Sequence, residues 1–171
     1  MIVLMAGLPG TGKTTLAGQL ASRMSGRVLS KDEIRGAVFL KEEIDFSSRQ
    51  DDLCVEMILD VAAHLLEKDP SRMIFLDGRP FSHRYQIDNV LAKADSLHQP
   101  WRILECTCSE NTAKRRLEED AASGAHDAGN RDYQLYLAVK ARFEAIVLPK
   151  TLIDTDQSLE TCIQQAFGAL R

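Results

Sequence analysis

Gly7-Leu8-Pro9-Gly10-Thr11-Gly12-Lys13-Thr14-Thr15 reads G-x-x-x-x-G-K-[ST], the spacing of a phosphate-binding P-loop. Its flanks supply the context that the pattern needs. Ile2-Val3-Leu4-Met5-Ala6 before it is a short apolar run suited to a buried strand, and behind it Leu16, Ala17, Leu20, Ala21 and Met24 recur at helical spacing. Strand, loop and helix thus stand in the required order. Glycines let backbone N–H groups turn inward around a polyanion with no Cβ in the way. The helix start adds unpaired donors and a partial positive charge. A plain strand-to-helix turn needs one glycine or two, and has no use for Lys-Thr after the third. On this reading Gly10, Thr11, Gly12, Lys13, Thr14 and Thr15 hold the phosphates of a nucleotide. Lys13 reaches the β- and γ-phosphates, and Thr14 offers its hydroxyl to Mg²⁺.

Outside the loop the chain has the make-up of one soluble domain. At 171 residues it is long enough to bury a core. A net charge of −4 argues against a broad nucleic-acid surface, which would be basic. No apolar run reaches membrane-spanning length, and the chain opens on a strand rather than a basic leader, so a cytoplasmic protein is expected. Cys54, Cys106, Cys108 and Cys162 form neither C-x-x-C nor a zinc spacing and read as free thiols.

Periodicity extends the pattern to the C-terminus. Strands are expected at 2–6, 27–30, 72–77, 101–107 and 151–154. Helices are expected at 13–24, ended by Gly26, at 31–35, over most of 41–69, near 82–97, at 109–121, from about 132 until Pro149, and after 158. Within 41–69 the inward stripe reads Leu53, Met57, Ile58, Val61, Ala62, Leu65 and Leu66. Five strands alternating with helices imply an α/β fold, a three-layer P-loop NTPase fold with a parallel sheet covered on both faces. Ligands in such sheets bind at the carboxyl ends of the strands. The P-loop, Asp32, Asp77 and Thr155 all follow strands directly. One domain over 1–171 is expected, with a lid segment near 115–131 whose small residues at 122–130 suit a mobile flap.

The candidate chemistry lies at those strand ends. Asp77 closes an apolar strand and is the candidate Walker-B-type acid for Mg²⁺ or a water in its shell. Asp32 is placed to accept a proton from a substrate hydroxyl, with Arg35 on the same helical face. Arg115, Arg116 and Arg131 flank the flap and are candidate cations over the γ-phosphate; Arg79 is a candidate for the substrate side. The acids of 41–69 number nine against three bases and read as a solvated face.

Three stretches together resemble the small P-loop kinases: the P-loop itself, Leu29-Ser30-Lys31-Asp32-Glu33-Ile34-Arg35, and Ile74-Phe75-Leu76-Asp77. That group includes the polynucleotide 5′-hydroxyl kinase domain, chloramphenicol phosphotransferase and zeta-toxin-like kinases. Arg142-Phe143-Glu144-Ala145-Ile146, then Pro149 and Ile153-Asp154-Thr155, is similar to the end of its domain. The resemblance implies that Asp32 is the general base, that Arg35 contacts the reacting phosphate, and that a nucleotide base lies between a lid arginine and the loop at Thr155 and Asp156. Relatives often carry two lid arginines four residues apart; here Glu119 and Asp120 stand four after Arg115 and Arg116. The expectation is an ATP- and Mg²⁺-dependent kinase for a hydroxyl of a small molecule. A polynucleotide or tRNA-directed kinase and a regulatory NTPase switch are the alternatives. With the acids of 41–69 walling the acceptor, a neutral or cationic acceptor is expected and a nucleic-acid strand is disfavoured.

Overall fold

The computed structural model describes residues 1–123 and 132–171. Arg131 and most of the expected flap at 122–130 lie outside the described residues. Five strands, β1 (Ile2–Ala6), β2 (Arg27–Ser30), β3 (Ile74–Asp77), β4 (Trp101–Thr107) and β5 (Thr151–Asp154), form one sheet in the order β2-β3-β1-β4-β5. Every pairing is parallel. The helices are α1 (Lys13–Arg23), α2 (Lys31–Val38), α3 (Ser48–Lys68), α4 (Arg84–Ser96), α5 (Glu110–Ser123), α6 (Tyr133–Ala141) and α7 (Leu159–Leu170). This is the expected P-loop NTPase-like α/β fold.

The position of β1 explains why its sequence is apolar throughout. It is the central strand and none of its residues is exposed. Ile2, Leu4 and Ala6 join the core with Ile58, Ala62, Ile87 and Val90 of α3 and α4. Val3 and Met5 point the other way, into the core with Leu16 and Leu20 of α1 and Ile163 and Ala166 of α7. A third, smaller cluster of Ala113, Leu117 and Tyr136 joins α5 to α6, with Leu8 of the P-loop packed against it. Among the described residues no helix is long and apolar enough to cross a membrane.

Several local expectations change. The stretch 41–69 is broken: a single tight turn at Lys41–Glu43 precedes α3, and Phe46 between them takes a left-handed φ of 52°. Ser47 then caps α3 by accepting from the Gln50 amide. The buried stripe of α3 runs through Cys54, Val55, Ile58, Leu59, Ala62 and Leu66, leaving Leu53, Met57 and Val61 exposed. The helix from 132 ends at Ala141. Phe143 and Ile146 follow in irregular backbone, anchored where the Glu144 amide donates to Ser82 O at 2.9 Å, and Ile146 still reaches the core. At the end of α1 the left-handed residue is Ser25 (φ 50°), not Gly26. Gly26 donates back to Ala21 O at 2.8 Å, and a Cβ on it would lie 2.8 Å from the Phe75 ring.

Candidate active site

The sheet delivers the P-loop after β1, the start of α2 after β2, Asp77 at the tip of β3 and Thr155 after β5 to a single edge. Gly7, Gly10 and Gly12 have φ of 128°, 77° and 77°, conformations that glycine adopts without strain. Gly7 is pinned by its amide to Pro80 O at 3.1 Å, and a Cβ there would lie 2.2 Å from Cys106 O. Gly12 caps α1 in the left-handed region, and the first turn of α1 holds no acid. No acid of α1 itself therefore offsets the amides and the positive end of that helix. Lys13 is buried along the inside of the loop, its Nζ donating to Gly7 O at 2.8 Å and Leu8 O at 2.7 Å. Thr14 and Thr15 face outward into the cleft. Thr11 turns back on the loop, its hydroxyl 2.7 Å from Leu8 O.

Arg116 ties three elements together on the α1 side. From α5 its Nη1 donates to Thr155 Oγ1 at 3.0 Å and Gly10 O at 3.4 Å, and its Nη2 to Thr155 O at 2.8 Å. Thr155 Oγ1 also lies 3.1 Å from Thr11 O. A cavity of about 380 Å³ opens here, lined by Gly10, Gly12, Thr15, Arg116 and Thr155. Arg115, by contrast, turns to solvent and pairs with Glu119 at 2.7 Å. Of the two adjacent arginines, Arg116 alone reaches the P-loop. Cys106 lies at the back of this region, its thiol pushed up to about 12 by burial, so it is inert rather than nucleophilic.

On the opposite side of the P-loop, a second cavity of about 110 Å³ gathers Lys13, Thr14, Asp32, Arg35, Asp77 and Arg79. Asp32 and Arg35 do not form an exposed helix pair. Both are buried, with Arg35 Nη1 at 2.8 Å from Asp32 Oδ1. Lys31 Nζ adds a second contact to the same oxygen at 3.1 Å and reaches Asp51 Oδ1 at 2.9 Å. Arg35 Nη2 closes the square on Asp51. Both cations therefore sit on Oδ1 of Asp32. Oδ2 lies beside Gly78, where a Cβ would come within 3.2 Å of it, so the glycine keeps that oxygen approachable. Arg79 is buried and holds Asp52 Oδ1 at 2.5 Å, with the Tyr85 ring beneath its guanidinium.

A family model described as an AAA domain matches residues 2–146. The chain belongs to the AAA domain family. Among solved structures, the gluconokinase of Sinorhizobium meliloti 1021 aligns with a TM-score of 0.71 at 15% identity, over 99% of this chain and 90% of that one. The APS kinase CysC of Mycobacterium tuberculosis, in complex with AMPPNP and APS, aligns at 0.73 and 16% identity, over 99% and 96%. Kti12 of Chaetomium thermophilum, in complex with ADP-AlF3, aligns at 0.67 and 17%, over the whole of both chains. At such identities the likeness shows a shared fold. No protein of curated function matches the chain in sequence.

The residues of this AAA domain fit a magnesium nucleotide. The cradle at Gly12 is open: a Cβ there would fill space otherwise bounded by Arg116 Nη1 at 3.5 Å and Thr155 Oγ1 at 3.7 Å. Asp77 is buried with its Oδ1 lacking any hydrogen-bond partner, a costly state that a cation or its water shell relieves. Among the described residues no cluster of three His, Cys, Asp or Glu could hold a metal alone. Magnesium suits such a site, since it takes one or two protein oxygens together with phosphates and water.

Four residues of the site escape the sequence reading: Lys31, Asp51, Asp52 and Gly78. Asp51 and Asp52 belong to the acids assigned to a solvated face, and for these two that assignment is corrected. Asp51 stands in the first turn of α3 with Asp52 directly after it, and the Ser47 cap turns that end of the helix toward Lys31, Arg35 and Arg79. The Ser47-x-x-Gln50 cap was the available signal.

Proposed function

We propose that this AAA domain is a kinase that transfers the γ-phosphate of ATP, in the presence of Mg²⁺, to a hydroxyl of a small molecule. The carrying observation is Asp32: a buried carboxylate in the same cavity as Lys13, gripped by cations on one oxygen only. A hydrolytic switch needs no such group opposite its P-loop. A kinase does, because the acceptor oxygen must lose a proton as it attacks.

In this reading Asp32 Oδ2 takes the proton of the acceptor hydroxyl while that oxygen bonds to the γ-phosphorus and the bond to the ADP oxygen breaks. Lys31 and Arg35 hold Asp32 in place, and Arg35 also faces the transferring group. Lys13 and the α1 amides stabilise charge on the phosphates, which is where most phosphoryl-transfer catalysis arises. Arg116 and Thr155 border the nucleotide base, with Arg116 the lid cation and Arg131 the candidate second one. Thr14 and Asp77 would hold magnesium, which would supply positive charge to the phosphates. The small acceptor-side cavity favours a compact acceptor over a strand. Gluconokinase and APS kinase, the printed names of two fold neighbours, favour the same class. Residues 1–171 act as one domain, with residues 115–123 of α5 the described part of the lid segment 115–131.

The test is ATP turnover with and without acceptor panels, in wild type and Asp32→Asn. The expected result is weak basal hydrolysis, strong acceptor stimulation, and a fall in kcat of about 10²–10⁴-fold in the variant with ATP affinity little changed. Loss of ATP or Mg²⁺ affinity with kcat spared would instead exchange the roles of Asp32 and Asp77.

A further inference from the structure

The acids of 41–69, summed along the sequence, suggest a negative wall around the acceptor. Their placement reverses that sign. Glu43, Asp45 and Asp69 accept from backbone amides near helix ends, and Asp60 pairs with Lys93 at the surface. Of these acids only Asp51 lines the cleft, spent on Lys31 and Arg35, and Asp52 is spent on Arg79. The cavity gathers Lys13, Lys31, Arg35, Arg79 and Arg142 against Asp32, Asp51 and Asp77, with Asp52 paired to Arg79. One positive charge is in excess, and it belongs to Arg142. This residue lines the cleft just beyond the end of α6 and makes no ion pair among the described residues. Arg79 is also incompletely used: its hydrogen bonds run through Nη2 alone, and its buried Nε has no partner.

The rest of the wall is apolar. Phe46 lies over the Arg35 guanidinium at 5.1 Å, and Leu135 and Val139 of α6 line the cavity beside Arg142. Phe46 holds a left-handed φ of 52°, a conformation that costs an L-residue energy and is retained where the fold needs one particular side-chain direction. That direction is the cleft.

We propose that the acceptor is a monoanionic alcohol, a hydroxy acid with an apolar face, whose acid group is read by Arg142 and Arg79 and whose skeleton packs on Phe46, Leu135 and Val139. The proposal deepens the kinase reading and rests on it for the fate of the hydroxyl. The charge match is the selective element: a neutral analogue leaves Arg142 and Arg79 without the anion, and an amine meets them with like charge. Charge-assisted pairing in a partly desolvated cleft separates such analogues by roughly tenfold or more.

The test is calorimetric binding with a non-hydrolysable ATP analogue and Mg²⁺ present, using matched trios. Gluconate is compared with sorbitol and glucamine, glycerate with glycerol and 3-aminopropane-1,2-diol, and 3-phenyllactate with 3-phenylpropane-1,2-diol and 1-amino-3-phenylpropan-2-ol. The expected result is that the acid binds tightest in each trio, and most tightly for the phenyl acid. Arg142→Glu, an exposed change that the fold tolerates, abolishes the preference for the acid. Arg79→Gln combined with Asp52→Asn, which leaves no lone carboxylate, weakens it. Phe46→Ala weakens all members of the phenyl trio alike. Binding of diols or amines as tight as that of the acids, or an acid preference unchanged in Arg142→Glu, overturns the proposal. So does the absence of acid binding at about 10 mM. Transfer from ATP is scored separately. Acids that bind without being phosphorylated uphold the anion-reading cleft and sink the kinase reading. Transfer to diols or amines without acid preference does the reverse.

Discussion

Gly10→Ala should separate the P-loop from α5, and the structure sets the size of the effect. Gly10 has a φ of 77°, and a Cβ there would lie 2.8 Å from Ala113 O, 3.1 Å from Leu117 Cγ and 3.2 Å from Ala113 Cα. The left-handed conformation costs an alanine about 1–2 kcal/mol. Forcing a methyl into packed backbone costs about 1–3 kcal/mol more. The sum, about 2–5 kcal/mol, lies within the stability of an ordinary domain, so the variant folds, with its Tm lowered by roughly 4–20 °C. Relief comes from moving α5, because two of the three atoms are its backbone. Arg116 lies one turn beyond Ala113 and loses its register with Gly10 O and Thr155, so affinity for an ATP analogue falls as well. Gly18→Ala is the internal control. It lies on the exposed face of α1 with nothing within 4 Å of a Cβ, and should gain about 0.4–1 kcal/mol. Thermal denaturation and analogue titration of the two variants read out both effects. A Gly10→Ala protein that melts within about 1 °C of wild type, while Gly18→Ala rises, would refute the close approach of α5 to the P-loop.

Lys13→Ala should fold, because of the two carbonyls it serves only Gly7 O loses its side-chain donor, Leu8 O keeping Thr11. The stability cost is about 1–3 kcal/mol, whereas phosphate transfer should drop by more than about 10²; a folded Lys13→Ala protein with near-normal turnover contradicts the site. The Glu144 carboxylate, which accepts from His83 Nδ1 at 2.8 Å and the Arg84 amide at 2.7 Å, is held below the usual carboxylate range by those two bonds, that from His83 being the larger influence. A depressed folded-state value means that its contribution is present above the ordinary glutamate value of about 4.3 and is lost as pH falls through the lowered one. Glu144→Gln should therefore narrow the difference in denaturation midpoint between neutral and acidic pH, and an unchanged difference would remove the link.

What was legible in the sequence is what depends on spacing along one element. The P-loop is local by construction, and Asp32 and Arg35 meet because residues three apart share a helix face. Asp77 follows from an apolar strand that ends in an acid at the sheet edge. The strand count came through because the central strands are apolar on both faces. What failed depends on how two elements are set against each other. Leu53, Met57 and Val61 satisfy a helical period as well as the true stripe does, and only the placement of α3 on the sheet decides which face is buried.

The acids show the same limit in its functionally important form. Summed over 41–69 they make a negative segment, and charge summed along a chain carries no direction. The break at Phe46 and the Ser47 cap fix where α3 begins, and hence that Asp51 falls in its first turn and Asp52 directly after it. Carboxylates are favoured at that end of a helix by its dipole, and here the same turn faces Lys31, Arg35 and Arg79. A buried arginine left without such a partner is strongly destabilising, so the two aspartates make it possible to bury cations beside the P-loop at all. Once they have done so, the charge that governs the acceptor in the proposed reading is the one that α3 leaves unmatched, on Arg142, nearly a hundred residues further along the chain. On that proposal, the acidic segment of the sequence is the reason that the cleft has room for an anion.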